Sequence, residues 1–191
     1  MGVPRISTGP MSIDEFYAFT DTRPDEEKWE LIDGEPVMQA SPGYSHQLIV
    51  SNIIMALGAA QRARPEAGWR VIPGLGIRLG TSRPEPDAMV VPSRGAAVDL
   101  RVRHRDDVLV VFEVLSPSTA DRDLRWKRNA YTSLPSLTHY VVIAQDAVEV
   151  VVFARDDGFA EQRLTSPDDV VSFPDLGVTL PLTEIFRDTG L

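Results

Sequence analysis

From Val108 to Leu115 the chain reads Val-Leu-Val-Val-Phe-Glu-Val-Leu, and no other segment limits the fold as tightly. A run this apolar, rich in β-branched residues and without alternation, predicts a strand buried on both faces at the centre of a mixed sheet. Such a strand needs a layer on each side, and the rest of the chain has the elements to build them. Ser12-Ile13-Asp14-Glu15 has the form of a capping box and opens a short helix to about Phe19. Residues 29–32 and 36–38 flank Asp33-Gly34 and read as a hairpin. A longer helix is predicted over 44–62, followed by strands at 69–72, 76–79 and 87–91. After the central strand, Ser118 or Thr119 caps a helix to about Leu134, and 139–144 and 147–153 read as two more strands. The expected fold is α/β or α+β, one mixed central sheet flanked by helices. Residues 1–11 are expected to be a flexible leader and 12–191 a single domain.

Composition narrows the chemistry. No apolar run approaches the roughly 18 residues of a membrane span, and the first residues lack the pattern of a secretory signal, so no membrane partner and a cytoplasmic location are expected. The chain has no cysteine, which excludes disulfide-linked partners, zinc–thiolate sites and a thiol nucleophile. Any metal is left to oxygen donors or to the three histidines. The net charge of −9 argues at first against nucleic acid, but it is unevenly spread. Residues 1–40 hold 3 basic and 9 acidic side chains, residues 41–145 hold 13 and 9, and residues 146–191 hold 3 and 10. The middle is therefore +4 and carries the arginine clusters Arg101, Arg103, Arg105 and Arg122, Arg125, Arg128. These six are candidates for DNA contact, or else solvated surface arginines.

Three residues in that middle segment stand out. Glu113 is a carboxylate in the strand expected to be most buried; either it has a cation or a metal beside it, or the strand emerges into solvent there. Asp87 enters the strand Asp-Ala-Met-Val-Val after Arg83-Pro84-Glu85-Pro86, where a turn aspartate is also a common choice. Lys127 shares one helical stripe with Ala120, Leu124, Tyr131 and Leu134, all apolar or aromatic, which turns it toward the sheet. A surface ion pair with Asp123 is the alternative. Of 19 basic residues only Lys28 and Lys127 are lysine, so a compact ammonium has been kept where arginine is the rule. Two strand carboxylates and a lysine make a workable set for metal-assisted phosphodiester hydrolysis. In it Asp87 and Glu113 hold Mg²⁺ or Mn²⁺, and the lysine orients water or stabilises developing charge.

Asp87, the segment Phe112-Glu113-Val114-Leu115-Ser116-Pro117-Ser118-Thr119, and Asp123-Leu124 with Lys127 and Tyr131 resemble the bacterial Uma family of "putative restriction endonucleases", in the PD-(D/E)xK superfamily. Trp29-Glu30-Leu31-Ile32-Asp33-Gly34-Glu35, Ser41-Pro42 with His46, and the closing segment 176–186 extend the likeness over about residues 12–187. The resemblance implies a restriction endonuclease-like core, a divalent-metal site, DNA as substrate and a homodimer. It also implies Glu30 as a fourth catalytic candidate, with His46, Asp123 and Tyr131 as accessory positions. For His46, a local hydrogen bond at the helix start is the competing role. The superfamily's Glu-x-Lys would put lysine at 115, where this chain has Leu115; Lys127 is the matching position in the following helix.

Other classes lack their motifs: there is no phosphate-binding Gly-rich loop before a Lys-Ser/Thr, no dinucleotide fingerprint and no nucleophile elbow. A catalytically inactive DNA-binding or protein-interaction module on the same fold is the main alternative. A regulatory protein using its acidic ends on a basic partner is another.

Overall fold

In the computed structural model the described residues are 9–93, 99, 101–115 and 120–191, of which 120–124 are described by backbone alone. Helix α1 (Ile13–Thr20) begins at the expected box: the Glu15 amide donates to Ser12 Oγ at 3.2 Å and the Ser12 amide to the Glu15 carboxylate at 2.8 Å. Strands β1 (Trp29–Ile32) and β2 (Glu35–Met38) form an antiparallel hairpin. Its turn needs positive φ at both Asp33 (50°) and Gly34 (81°). A side chain at 34 would also meet Pro10, whose Cβ lies 2.4 Å from where a Cβ would stand.

Helix α2 (Tyr44–Ala63) leads to β3 (Trp69–Pro73), β4 (Gly76–Ile77), β5 (Ala88–Pro92), β6 (His104–Arg105) and β7 (Val110–Leu115). Helix α3 (Ala120–Thr132) then precedes β8 (His139–Ala144), β9 (Val150–Ala154) and β10 (Glu161–Leu164). The hairpin of β11 (Val170–Phe173) and β12 (Val178–Pro181) and the short α4 (Leu182–Ile185) complete the described chain. The main sheet has six strands in the order β10-β9-β8-β7-β5-β3, with β7 and β8 parallel and every other pair antiparallel. It is the expected mixed sheet, and β7 is one of its two central strands.

Alternation along β7 sorts the layers. Val110, Phe112 and Val114 pack with Ile49, Ile53 and Leu57 of α2 and with Leu182 and Ile185 of α4. Val111 faces the other way, with Tyr131 of α3 and Met89, Tyr140 and Val142 of the sheet. Glu113, two positions on from Val111, therefore projects from the α3 face. Asn52 ties α2 to the end of the fold through its amide, which donates to the carbonyls of Ile185 (3.1 Å) and Arg187 (2.8 Å).

Three boundaries differ from the pattern. The stretch 76–79 is not a strand of the main sheet: only Gly76–Ile77 is extended, paired in parallel with β6. Leu79 and Ser82 exchange backbone hydrogen bonds of 2.9 and 2.8 Å, and this tight turn ends the strand. The strand expected from 147 starts at Val150, because a turn bond from the Glu149 amide to the Ala147 carbonyl precedes it. Strands β10 to β12 and α4 were not expected. The proposed cap at Ser118 or Thr119 and most of the proposed leader, residues 1–8, lie outside the described residues.

Candidate active site

The register of β5 against β7 builds the site. Ala88 pairs with Phe112, so one step further Asp87 stands opposite Glu113 at the sheet's end, where cross-strand Cβ atoms are about 5 Å apart. The Asp87 Oδ2 accepts the Val114 amide at 2.7 Å and lies 3.3 Å from His46 Nε2. Helix α3 supplies the cation. Lys127 Nζ donates to Glu113 Oε1 at 3.0 Å, and four residues on, Tyr131 Oη donates to the same oxygen at 2.8 Å. Lys127 Nζ is also 3.1 Å from Glu30 Oε1. Glu30 is held in turn by the Glu85 amide (2.7 Å) and by the Gln39 side chain (2.6 Å).

Glu113 is thus a buried carboxylate with a partner: it is 6% exposed, and the strand does not emerge into solvent there. Asp87, Glu113, Lys127, Glu30 and His46 line one cavity of about 380 Å³. Burial pushes the Glu113 carboxyl up to about 7; Lys127 opposes that shift, and the nearby charges of Asp87 and Glu30 reinforce it. Burial alone would lower Lys127, but the carboxylates of Glu113 and Glu30 outweigh it and hold the ammonium above the ordinary lysine range. Burial and the Glu113 charge keep the Tyr131 phenol protonated far into alkali.

Among the described residues no group of three or more His, Asp or Glu side chains is arranged to hold a metal ion. The donor set that does fit one is the pair. Asp87 and Glu113 are hard oxygen donors on facing positions, and Asp87 Oδ1 and Glu113 Oε2 carry no hydrogen bond among the described residues. Small divalent ions commonly take one or two carboxylates and fill the remaining positions with water and phosphate oxygens.

The accessory and arginine positions divide. His46 faces Asp87 rather than making a local helix-start bond, and its Nδ1 has no hydrogen-bond partner. The Asp123 and Arg122 side chains lie outside the described residues. Arg103 pairs with Asp21 and lies over Tyr17, and Arg105 is bidentate to Asp107 at 2.6 Å. Arg128 donates to the Phe159 carbonyl and covers Phe153. Arg101 and Arg125 are exposed, and no side-chain partner engages them among the described residues. Sequence reasoning missed Tyr140, which lines the cavity from β8 fully buried with its hydroxyl unpartnered. A tyrosine in an apolar strand gives no signal to separate it from core. It also missed Gln39, whose contact with Glu30 depends on hairpin register.

A family model described as "Uma2: Putative restriction endonuclease" matches residues 13–183. Among solved structures, a "putative nuclease belonging to DUF820" from Anabaena variabilis ATCC 29413 superposes with a TM-score of 0.75 at 18% identity. The match covers 93% of this chain and 98% of that one, and at this identity the likeness shows the fold alone. No curated protein matches the chain.

Proposed function

Because the chain belongs to the Uma2 family, we propose that it is a Mg²⁺- or Mn²⁺-dependent endonuclease that hydrolyses DNA phosphodiester bonds. The observation that carries this reading is the convergence of Lys127 on Glu113 and Glu30, opposite Asp87, in one cavity. Asp87 and Glu113 would hold the cation, which when bound polarises the phosphate and acidifies water. Lys127, protonated throughout the working pH range, cannot accept the proton of water. Two of its three N–H bonds go to Glu113 and Glu30, which leaves one to stabilise charge on a phosphoryl oxygen. Glu30 holds the ammonium in place, and Tyr131 fixes Glu113 Oε1 so that Oε2 is the free oxygen. The same reading has the chain acting as a cytoplasmic homodimer, since cutting two strands suits two sites, with 12–191 as the nuclease domain. Its DNA contacts include Arg101 and Arg125.

The test is cleavage of supercoiled and linear DNA with Mg²⁺ or Mn²⁺ by the wild type, Glu113→Ala and Lys127→Ala. Loss of at least about 100-fold in both variants is expected, the scale of removing a group that acts in the transition state. Equal cleavage by all three would exclude this site, and no cleavage by any would favour an inactive DNA-binding module.

A further inference from the structure

The cavity that holds the carboxylates is bounded on another side by the start of α2, where Gly43, His46 and Gln47 line it. This 20-residue helix begins at Gly43, which offers no side chain to cap it. The amides of Tyr44, Ser45 and His46 make no hydrogen bond among the described residues, and the first returning bond is from Gln47 to the Gly43 carbonyl at 3.1 Å. Three free donors and the positive end of a long helix dipole thus meet at a cavity wall. The start is fixed rather than frayed, since Ser45 Oγ donates to the Gln145 carbonyl at 2.9 Å and His46 abuts Asp87.

A helix N-terminus alone would carry nothing, but Tyr140 points independently to a ligand. It is 0% exposed, lines the same cavity, and its hydroxyl has no partner although the charges of Glu113, Asp87 and Glu30 all act on it. A buried hydroxyl without a hydrogen bond costs about 1–3 kcal/mol, and such groups in folded proteins call for a missing partner. The carboxylates beside it leave the phenol proton in place, so Tyr140 is a donor waiting for an acceptor. His46 Nδ1, in the same wall, is a second buried polar atom without a partner.

We propose that the N-terminus of α2 and the Tyr140 hydroxyl together form the seat for a phosphate of the DNA backbone, beside the Asp87–Glu113 pair. This inference rests on the nuclease reading for its substrate and adds to it the residues that hold the phosphate. Peptide N–H groups and one phenol bind phosphate oxygens without reading bases, so the seat takes any sequence. Because Glu30, Glu85, Asp87 and Glu113 surround the cavity with Lys127 as their main counter-charge, phosphate should enter only when a divalent cation is present.

The test measures binding of a fluorescein-labelled DNA duplex by anisotropy, with Ca²⁺ or with EDTA, and competition by inorganic phosphate. It compares the wild type with Gly43→Asp, Gly43→Ala and Tyr140→Phe. Position 43 has room: its φ is −76° and a Cβ there meets nothing within 4 Å. Aspartate is a preferred cap that would occupy the free amides and repel phosphate, so Gly43→Asp should keep or raise Tm while weakening duplex binding at least about tenfold. Gly43→Ala should bind within about twofold of wild type, because it adds neither a cap nor a charge. Tyr140→Phe should leave Tm unchanged or higher and weaken binding about tenfold, the scale of one hydrogen bond to a charged group. If the wild type binds and Gly43→Asp and Tyr140→Phe bind equally well, or if Tyr140→Phe lowers Tm, the seat is refuted whether or not the protein cleaves. A wild type that binds neither duplex nor phosphate refutes it as well. Binding that is sensitive to both substitutions without any cleavage upholds the seat and refutes the nuclease reading.

Discussion

Replacing Lys127 with methionine isolates the electrostatics of the site, because methionine keeps the stem that packs against Tyr131 and removes only the charge. The ammonium contacts two carboxylates at 3.0 and 3.1 Å, and its side chain is 14% exposed. Removing one partner of a buried ion pair costs about 3–5 kcal/mol, since the charges left behind stay desolvated. That loss is expected at pH 8 in EDTA. It should not be constant with pH. Glu113 already sits near 7 with Lys127 present, and loss of the cation raises it further. A carboxyl whose folded-state pKa lies above its unfolded value contributes stability that is present below the unfolded value and lost as pH rises through the folded one. At pH 5 Glu113 is protonated in both proteins, so the variant loses chiefly its contact with Glu30, about 2 kcal/mol for a hydrogen bond to a charged group. Urea unfolding followed by circular dichroism at both pH values gives the two differences, provided the urea slope is unchanged. A loss of the same size at pH 5 and pH 8, or one below about 1 kcal/mol at pH 8, would refute the claim that Lys127 neutralises a buried carboxylate pair.

Tyr131→Phe removes the 2.8 Å bond to Glu113 and should cost about 1–3 kcal/mol by the same urea assay; an unchanged midpoint would show that the phenol is not needed to hold Oε1. Mg²⁺ at 100 times its Kd should stabilise the wild type by about 2.7 kcal/mol. Asp87→Asn should abolish that gain in thermal unfolding, whereas an equal gain in the variant places the ion elsewhere. His139 is buried against Phe173, and burial lowers its pKa. The unfolded chain therefore binds more protons near and below pH 6.5, and stability should fall as pH drops through that value. His139→Gln should flatten this part of the Tm–pH profile, and a profile as steep as wild type would assign the acid loss to other groups. Gly34→Ala should cost more than about 1 kcal/mol, from positive φ together with the clash at Pro10; a neutral result would mean that the hairpin and the Pro10 segment separate freely.

What could be read from the sequence was whatever periodicity controls. The run at 108–115 announced a doubly buried strand, and Lys127 and Tyr131, four apart on one stripe, both reach Glu113. Those are local geometric facts, and burial on both faces leaves few ways to satisfy them. Glu30 was different: nothing in its strand marks it, and only family likeness singled it out, because its role depends on where a hairpin docks against α3. The segment 76–79 looked like the other strands, since alternation does not say which partner a strand will find. Edge strand β10, Glu-Gln-Arg-Leu, is too polar to announce itself. Arg103 and Arg105 read as a basic patch, but Asp21 is 82 residues from Arg103 in sequence, and no local pattern exposes such a pairing.

The fate of those arginines changes what the charge of −9 means for DNA. If all six clustered arginines met phosphates, the logarithm of the binding constant would fall with the logarithm of salt at a slope of about −5. Arg103 and Arg105 are instead committed to aspartates and Arg128 to a carbonyl and a ring. Arg101 and Arg125, with exposed Lys28 at the cavity mouth, are the cations left open among the described residues. Two to three neutralised phosphates predict a slope of only about −2 to −3. Binding this lightly anchored has to draw on the divalent cation at Asp87 and Glu113, so chelation should weaken it far more than a doubling of salt does. Anisotropy titrations across a salt series, with Ca²⁺ and with EDTA, separate the two contributions. A slope near −5 that is unaffected by EDTA would mean that Arg103, Arg105 and Arg128 leave their partners on binding, and that the basic patch rather than the carboxylate site captures DNA.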